Sequence, residues 1–157
     1  MAERAEAIAV AMQEGAREKV FPIRGRSDVV VVGSQAQKLA REAGFGAKRA
    51  AELAIVVAEL ASNIVKHGVR GEVSLCLDLD SPPRGEIMVV ARDVGPPIRD
   101  LELAMTDGYD DLGPIDPALM LRRGGLGTGL GAIARLADRV EYRQEEGGKS
   151  VTARFYL

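Results

Sequence analysis

The sequence predicts an α+β fold, a two-layer α/β sandwich in which a mixed, mostly antiparallel sheet is covered by helices on one face. Three observations carry this. Helix-period segments dominate the first 66 residues, strand-period segments come later in two turn-linked pairs, and a further helix start falls between those pairs. At 157 residues and 46% apolar content the chain is large enough to bury one core without disulfides or metals.

Met1 to Lys19 is rich in Ala, Glu and Arg and reads as an N-terminal helical extension, with a single domain over residues 20–157. Val20 to Arg24 reads as a short strand. Ser27 or Asp28 can cap a helix running to about Ala43, and Gly44 and Gly46 punctuate before a second helix, Ala47 to Lys66, closed by His67-Gly68. Glu72 to Asp80 alternates, with Val73, Leu75, Leu77 and Leu79 on one face. Ile87 to Ala91 is apolar on both faces, which predicts a central strand. Pro82, Pro83 and Gly85 make the link a turn, so the two strands form an antiparallel hairpin. Pro96-Pro97, a short helix near Asp100 to Thr106 and a long loop, Gly108 to Arg123, follow. Loops of that length in compact domains are commonly functional. Ala132 to Val140 reads as a helix, and Arg139 to Gln144 with Ser150 to Leu157 as a final hairpin joined at Glu145 to Lys149.

Composition narrows the function classes. The net charge of −2 comes from 21 basic and 23 acidic residues that are well mixed, which argues against a nucleic-acid partner. The lone cysteine, Cys76, points to a reducing compartment, and the cytoplasm is the expected location. No apolar run reaches the roughly 18 residues of a membrane span, so no membrane partner is expected. One His and one Cys leave too few soft ligands for a zinc site.

The residues that carry chemistry fall in three places. On the second helix, a 100° advance per residue puts Leu53, Ala54, Val57, Ala58, Ala61, Ile64 and Val65 on an apolar face. Glu59 and Asn63 lie one turn apart on the other side, an arrangement open to a shared ligand or to plain solvation. Asp93 ends the apolar strand, with Gly95 two residues on. It is either turn chemistry or a carboxylate able to accept a hydrogen bond from an exocyclic amine beside a flat ring. Arg123 to Gly131 holds five glycines in nine positions just before a helix, where unpaired N–H groups suit a phosphate.

Together, Glu59-x-x-x-Asn63, Asp93-x-Gly95 and Gly125-x-Gly127-x-Gly129 resemble, in order and spacing, the N, G1 and G2 boxes of the GHKL ATPase superfamily. The stretch Val20 to Leu157 is similar to the small anti-sigma-factor serine/threonine kinases, especially the switch kinases of stressosome-type partner-switching pathways. Phe21-Pro-Ile-Arg, Asp107-Gly-Tyr109 and Gly124 to Leu130 add to the likeness. The resemblance implies a Bergerat-type sandwich and use of ATP and Mg²⁺. It implies Glu59 as general base toward a substrate serine and Asn63 as the Mg²⁺ ligand. Asp93 is implied as the acceptor for the adenine amine, and Gly95 as part of the base pocket. Gly125, Gly127 and Gly129 are implied to cradle the phosphates, with Leu126, Thr128 and Leu130 in the same nucleotide-binding segment and residues 105–123 as the ATP lid. The implied partner is a STAS-type antagonist protein, with a sigma factor or a regulatory phosphatase as further partners and homodimerisation as a family-level expectation.

The chain departs from the family pattern at Pro97, where a second glycine of the Asp-x-Gly-x-Gly box is expected, and in a lid lengthened over Asp110 to Arg122. Other readings fit less well. Gly127-x-Gly129-x-x-Ala132 satisfies a dinucleotide fingerprint, but no predicted strand runs into it and no βαβ unit follows. Gly148-Lys149-Ser150 lacks the upstream glycine of a P-loop, since Arg143 stands there. Three functions remain: a protein-serine kinase, a non-catalytic nucleotide-gated switch module, and a histidine-kinase-like ATPase domain detached from its receptor.

Overall fold

The computed structural model describes residues 16–67, 70–80, 85–95, 109–110, 113–114 and 130–157. The elements run β1 (Ala16–Ile23), α1 (Arg26–Glu42), α2 (Ala47–His67), β2 (Gly71–Asp78), β3 (Glu86–Asp93), β4 (Tyr109–Asp110), β5 (Gly113–Pro114), α3 (Leu130–Leu136), β6 (Arg139–Glu145) and β7 (Gly148–Tyr156). Strands β1-β2-β3-β7-β6 form one five-stranded sheet whose four pairings are all antiparallel. This is the α+β sandwich the pattern predicts, with β3 at the centre. The apolar character of Ile87 to Ala91 matches burial on both faces, since Val90, on the face away from the core rows, is buried as well.

Period-2 alternation directs three rows of side chains at the helices. Val73, Ala91 and Val151 form one row, Leu75, Val89 and Ala153 the next, and Leu77, Ile87 and Phe155 the third. All nine are buried and join the core cluster with residues of the three helices. Leu79, expected on the same face, lies beyond the end of β2 and is exposed.

The N-terminal reading needs correction. Residues 1–15 lie outside the described residues, but Ala16 to Lys19, read as the end of a helix, form the first half of β1 and pair with Asp78 to Leu75 of β2. Their helix propensity is worth a few tenths of a kcal/mol each and yields to a ladder that satisfies the edge of β2. At α1 the N-cap is Gly25, not Ser27 or Asp28. Asp28 acts one turn in, its Oδ2 accepting from the backbone N–H of Arg24 at 2.8 Å and of Gly25 at 3.2 Å.

The face of α2 is rotated from the predicted one. Ala50, Leu53, Val56, Val57, Leu60, Ala61 and Ile64 are buried, whereas Val65 is exposed. Ala54 and Ala58 flank α1 instead, where a Cβ built on Gly33 would come within 3.8 Å of the Ala54 carbonyl oxygen. Apolar residues, many of them alanine, cover more than half of the helix circumference, so the period left the centre of the stripe ambiguous.

Helix α3 is shorter than the expected Ala132 to Val140 and is held at its C-terminus by Arg49 of α2. One guanidinium nitrogen donates to the Leu136 carbonyl at 2.7 Å and to Glu52 at 3.0 Å, and the other pairs with Asp138. The group sits 4.6 Å from the ring centre of buried Phe155, and Asp138 also accepts from the backbone N–H of Tyr156 at 2.8 Å. This ties α2, α3 and the far end of β7 into one unit. Among the described residues no helix is long and apolar enough to cross a membrane.

Cys76 lies on the sheet face opposite the core rows and is buried there. Burial pushes its thiol from 9.0 up to about 11, and the negative charges of Glu18, its cross-strand neighbour, Asp78 and Glu86 add to the rise.

Two outcomes follow from these contacts. Arg49→Ala should lower stability by about 1–3 kcal/mol in denaturant melts, because a carbonyl loses its donor and Phe155 its cation, while Arg49→Lys recovers only part of this; unchanged melting of both variants would refute the tie. Between the unfolded thiol pKa of 9.0 and the folded value of about 11 the folded chain retains a proton that the unfolded chain has released, so stability should fall as pH rises through that interval. Labelling by a thiol reagent near neutral pH should accordingly require unfolding, and rapid labelling of the native protein would contradict the assignment.

Candidate functional site

One row beyond the three apolar rows, on the same face of the sheet, the register aligns Ile23, Gly71, Asp93 and Lys149. Here the core ladder gives way to a carboxylate and an ammonium. Asp93 Oδ1 accepts from the backbone N–H of Gly95 at 2.7 Å, an Asx-type turn that ends the strand. The same oxygen accepts from Lys149 Nζ at 2.9 Å. The two side chains are only 8% and 9% exposed, and Val94 N–H donates to the Arg70 carbonyl at 3.0 Å, anchoring the residue that follows.

Two glycines make room for this strand end. A Cβ on Gly148 would lie 2.2 Å from the Asp93 carbonyl oxygen. One on Gly71 would lie 2.5 Å from the Arg92 carbonyl oxygen, 2.7 Å from Ile64 Cγ2 and 3.0 Å from Asp93 Cβ. Gly71 is thus wedged between Asp93 and the C-terminal half of α2, so Ile64 and its neighbour Asn63 are brought to the Asp93 end of the sheet. Glu59 and Asn63 lie one turn apart on α2, both half-buried and away from the residues that fill the core. Leu130 is buried as the first residue of α3.

A cleft of about 520 Å³ opens at this end of the sheet. Asp93 and Lys149 line it with Arg24, Arg70, Glu72 and Arg92, whereas Glu59 and Asn63 are not in its wall. The structure therefore brings Asp93, Gly95 and the end of α2 together. Gly125, Leu126, Gly127, Thr128 and Gly129 lie outside the described residues, as does Pro97. Of the expected lid, residues 105–123, only β4 and β5 are described, a two-residue antiparallel ladder within what the sequence predicted as loop. Among the described residues no group of three His, Cys, Asp or Glu is placed to hold a metal. Asn63 carries a hard oxygen donor of the kind Mg²⁺ takes singly alongside phosphate oxygens.

Lys149 is the residue that sequence reasoning missed. The sequence pattern puts it in the turn Glu145 to Lys149, but β7 begins at Gly148 and sets Lys149 opposite Asp93. The signal was the apolar alternation of Val151, Ala153 and Phe155; extending it by one step puts Lys149 on the core face.

Residues 24–155 match the histidine kinase-like ATPase domain family. The chain is 31% identical over 111 residues, 71% of its length and 74% of the relative's, to the serine/threonine-protein kinase RsbT of Bacillus subtilis (strain 168). Among solved structures it resembles the RsbU and RsbW domains of Rv1364c from Mycobacterium tuberculosis, with a TM-score of 0.57 and 16% identity over 90% of this chain, which shows a shared fold. The chain spans 32% of that larger protein.

Because the obstructing atom is backbone, Gly148→Ala should shift the end of β3 and cost about 2–4 kcal/mol in a chemical melt, with Gly71→Ala acting in the same direction. A cost below about 0.5 kcal/mol for Gly148→Ala would mean that the Asp93 turn is not held by this packing.

Proposed function

We infer the function of this chain from its family: it belongs to the histidine kinase-like ATPase domain family, and its geometry supports a Mg²⁺-ATP-dependent protein-serine kinase of a bacterial partner-switching pathway. The observation that carries the reading is the placement of Asp93. A carboxylate at the end of the central strand, fixed by Gly95 and opening on a cleft, is suited to accept a hydrogen bond from the adenine amine. The likeness to a serine/threonine kinase supports the choice of reaction.

In this reading the protein substrate is a small antagonist of the STAS type, and a sigma factor or a regulatory phosphatase is a further partner. Glu59 accepts the proton of the substrate serine as that oxygen bonds to the γ-phosphorus, and the bond from this phosphorus to the departing ADP oxygen breaks. Asn63, one turn further along α2, would hold Mg²⁺, which would offset negative charge on the phosphates. Residues 125–130 cradle the phosphates at the start of α3, and residues 105–123 close over them as a lid. Asp93 and Gly95 seat the base. In this reading the protein works in the cytoplasm, where ATP is supplied.

Calorimetric titration of ATP with Mg²⁺, paired with phosphate-transfer assays on a STAS partner, tests the reading. Asp93→Asn should weaken ATP by tenfold or more, since an amide offers a donor where an acceptor is needed. Glu59→Gln should leave ATP affinity intact while lowering transfer by about 10²-fold or more, the usual contribution of a general base. Nucleotide binding without transfer by the wild type would favour a nucleotide-gated switch instead, and no binding at all would refute the site.

A further inference from the structure

We propose that Lys149 is a positioning residue of the nucleotide site: it holds the Asp93 carboxylate in the orientation that leaves one oxygen for the base. The proposal rests on the nucleotide-binding reading above and adds the means by which the base acceptor is kept in place. Lys149 Nζ lies 2.9 Å from Asp93 Oδ1, and the two side chains are 9% and 8% exposed. The backbone N–H of Gly95 donates to the same oxygen at 2.7 Å. Asp93 Oδ1 is thus held from two elements, the turn that ends β3 and the start of β7, while among the described residues no donor reaches Oδ2. Arg24, Arg70 and Arg92 line the same cleft, yet among the described residues Lys149 is the cation that bonds to this carboxylate.

The core does not need an ion pair at this register. Val151, Ala153 and Phe155 carry the apolar alternation of β7, and one more apolar pair would extend their rows without taking two charges out of water. What the pair supplies is a fixed acceptor. A carboxylate held by a single hydrogen bond can turn about its side-chain torsions toward water, and a ligand that needs it must then draw it back and order it. With Oδ1 gripped from two sides, that ordering precedes the arrival of the base. The ammonium also offsets a charge that burial would otherwise leave uncompensated. Lys149 therefore acts on the base through Asp93, and no contact of its own with the ligand is required.

Calorimetric titration of the full chain with ATP and with adenosine, which carries the base without phosphates, provides the test. Lys149→Met should weaken both ligands by the same factor, about tenfold, because the loss falls on the base contact. In Lys149→Gln, whose amide N–H can still reach a carboxylate, part of this affinity should return. Introduced on top of Asp93→Asn, Lys149→Met should change ATP affinity by less than about twofold, since the acceptor it positions is already gone. That comparison leaves no carboxylate unpaired, so it decides the matter even where Lys149→Met alone does not fold. An effect of Lys149→Met below about twofold, a loss confined to ATP, or an equal loss in the Asp93→Asn background overturns the positioning role while nucleotide binding stands. Absence of ATP binding by the wild type overturns the nucleotide reading itself, and this assignment with it.

Discussion

Strand β3 is paired along both edges, with β2 on one side and β7 on the other, and the registers of those two ladders position everything else in the molecule. A shift of either ladder by one residue would turn the core rows outward and replace Asp93 on the helix-facing side. Burial of Val89, Ile87 and their row partners therefore does two things at once. It supplies the hydrophobic driving force that assembles the sandwich, and it holds a carboxylate at a defined point where the apolar rows end.

The helices complete this placement from the other layer. Close packing of α1 on α2 through Gly33, Ala54 and Ala58 sets the rotation of α2, and that rotation directs Glu59 and Asn63 away from the core. Gly71 then fixes how deeply Ile64 approaches the sheet. At the opposite end Arg49 ties α2 to the end of α3 and to β7, so the helix that follows the glycine-rich segment is anchored at its far terminus. The described part of the site thus rests on helices and strands of the sandwich.

The ion pair of Asp93 and Lys149 stands where the apolar rows of the core end. Two charges this far from solvent are costly unless paired, and removing either one leaves the other uncompensated.

The sequence by itself determined the order of the main helices and strands, the two hairpins, the central position of β3 and the candidate residues Glu59, Asn63, Asp93 and Gly95. These rest on local signals: helical and strand periods, glycine and proline punctuation, and the abrupt change from an apolar strand to Asp-x-Gly. Tertiary structure alone decided that Ala16 to Lys19 become a strand, that Val56 and Leu60 rather than Val65 fill the core, and that Lys149 meets Asp93. Each of these depends on a partner far along the chain: the β2 edge that recruits β1, the α1 surface that sets the rotation of α2, and the β3–β7 register. Local patterns specify how a segment folds, but pairing across 56 residues, as between Asp93 and Lys149, is fixed only when the sheet closes around its common core.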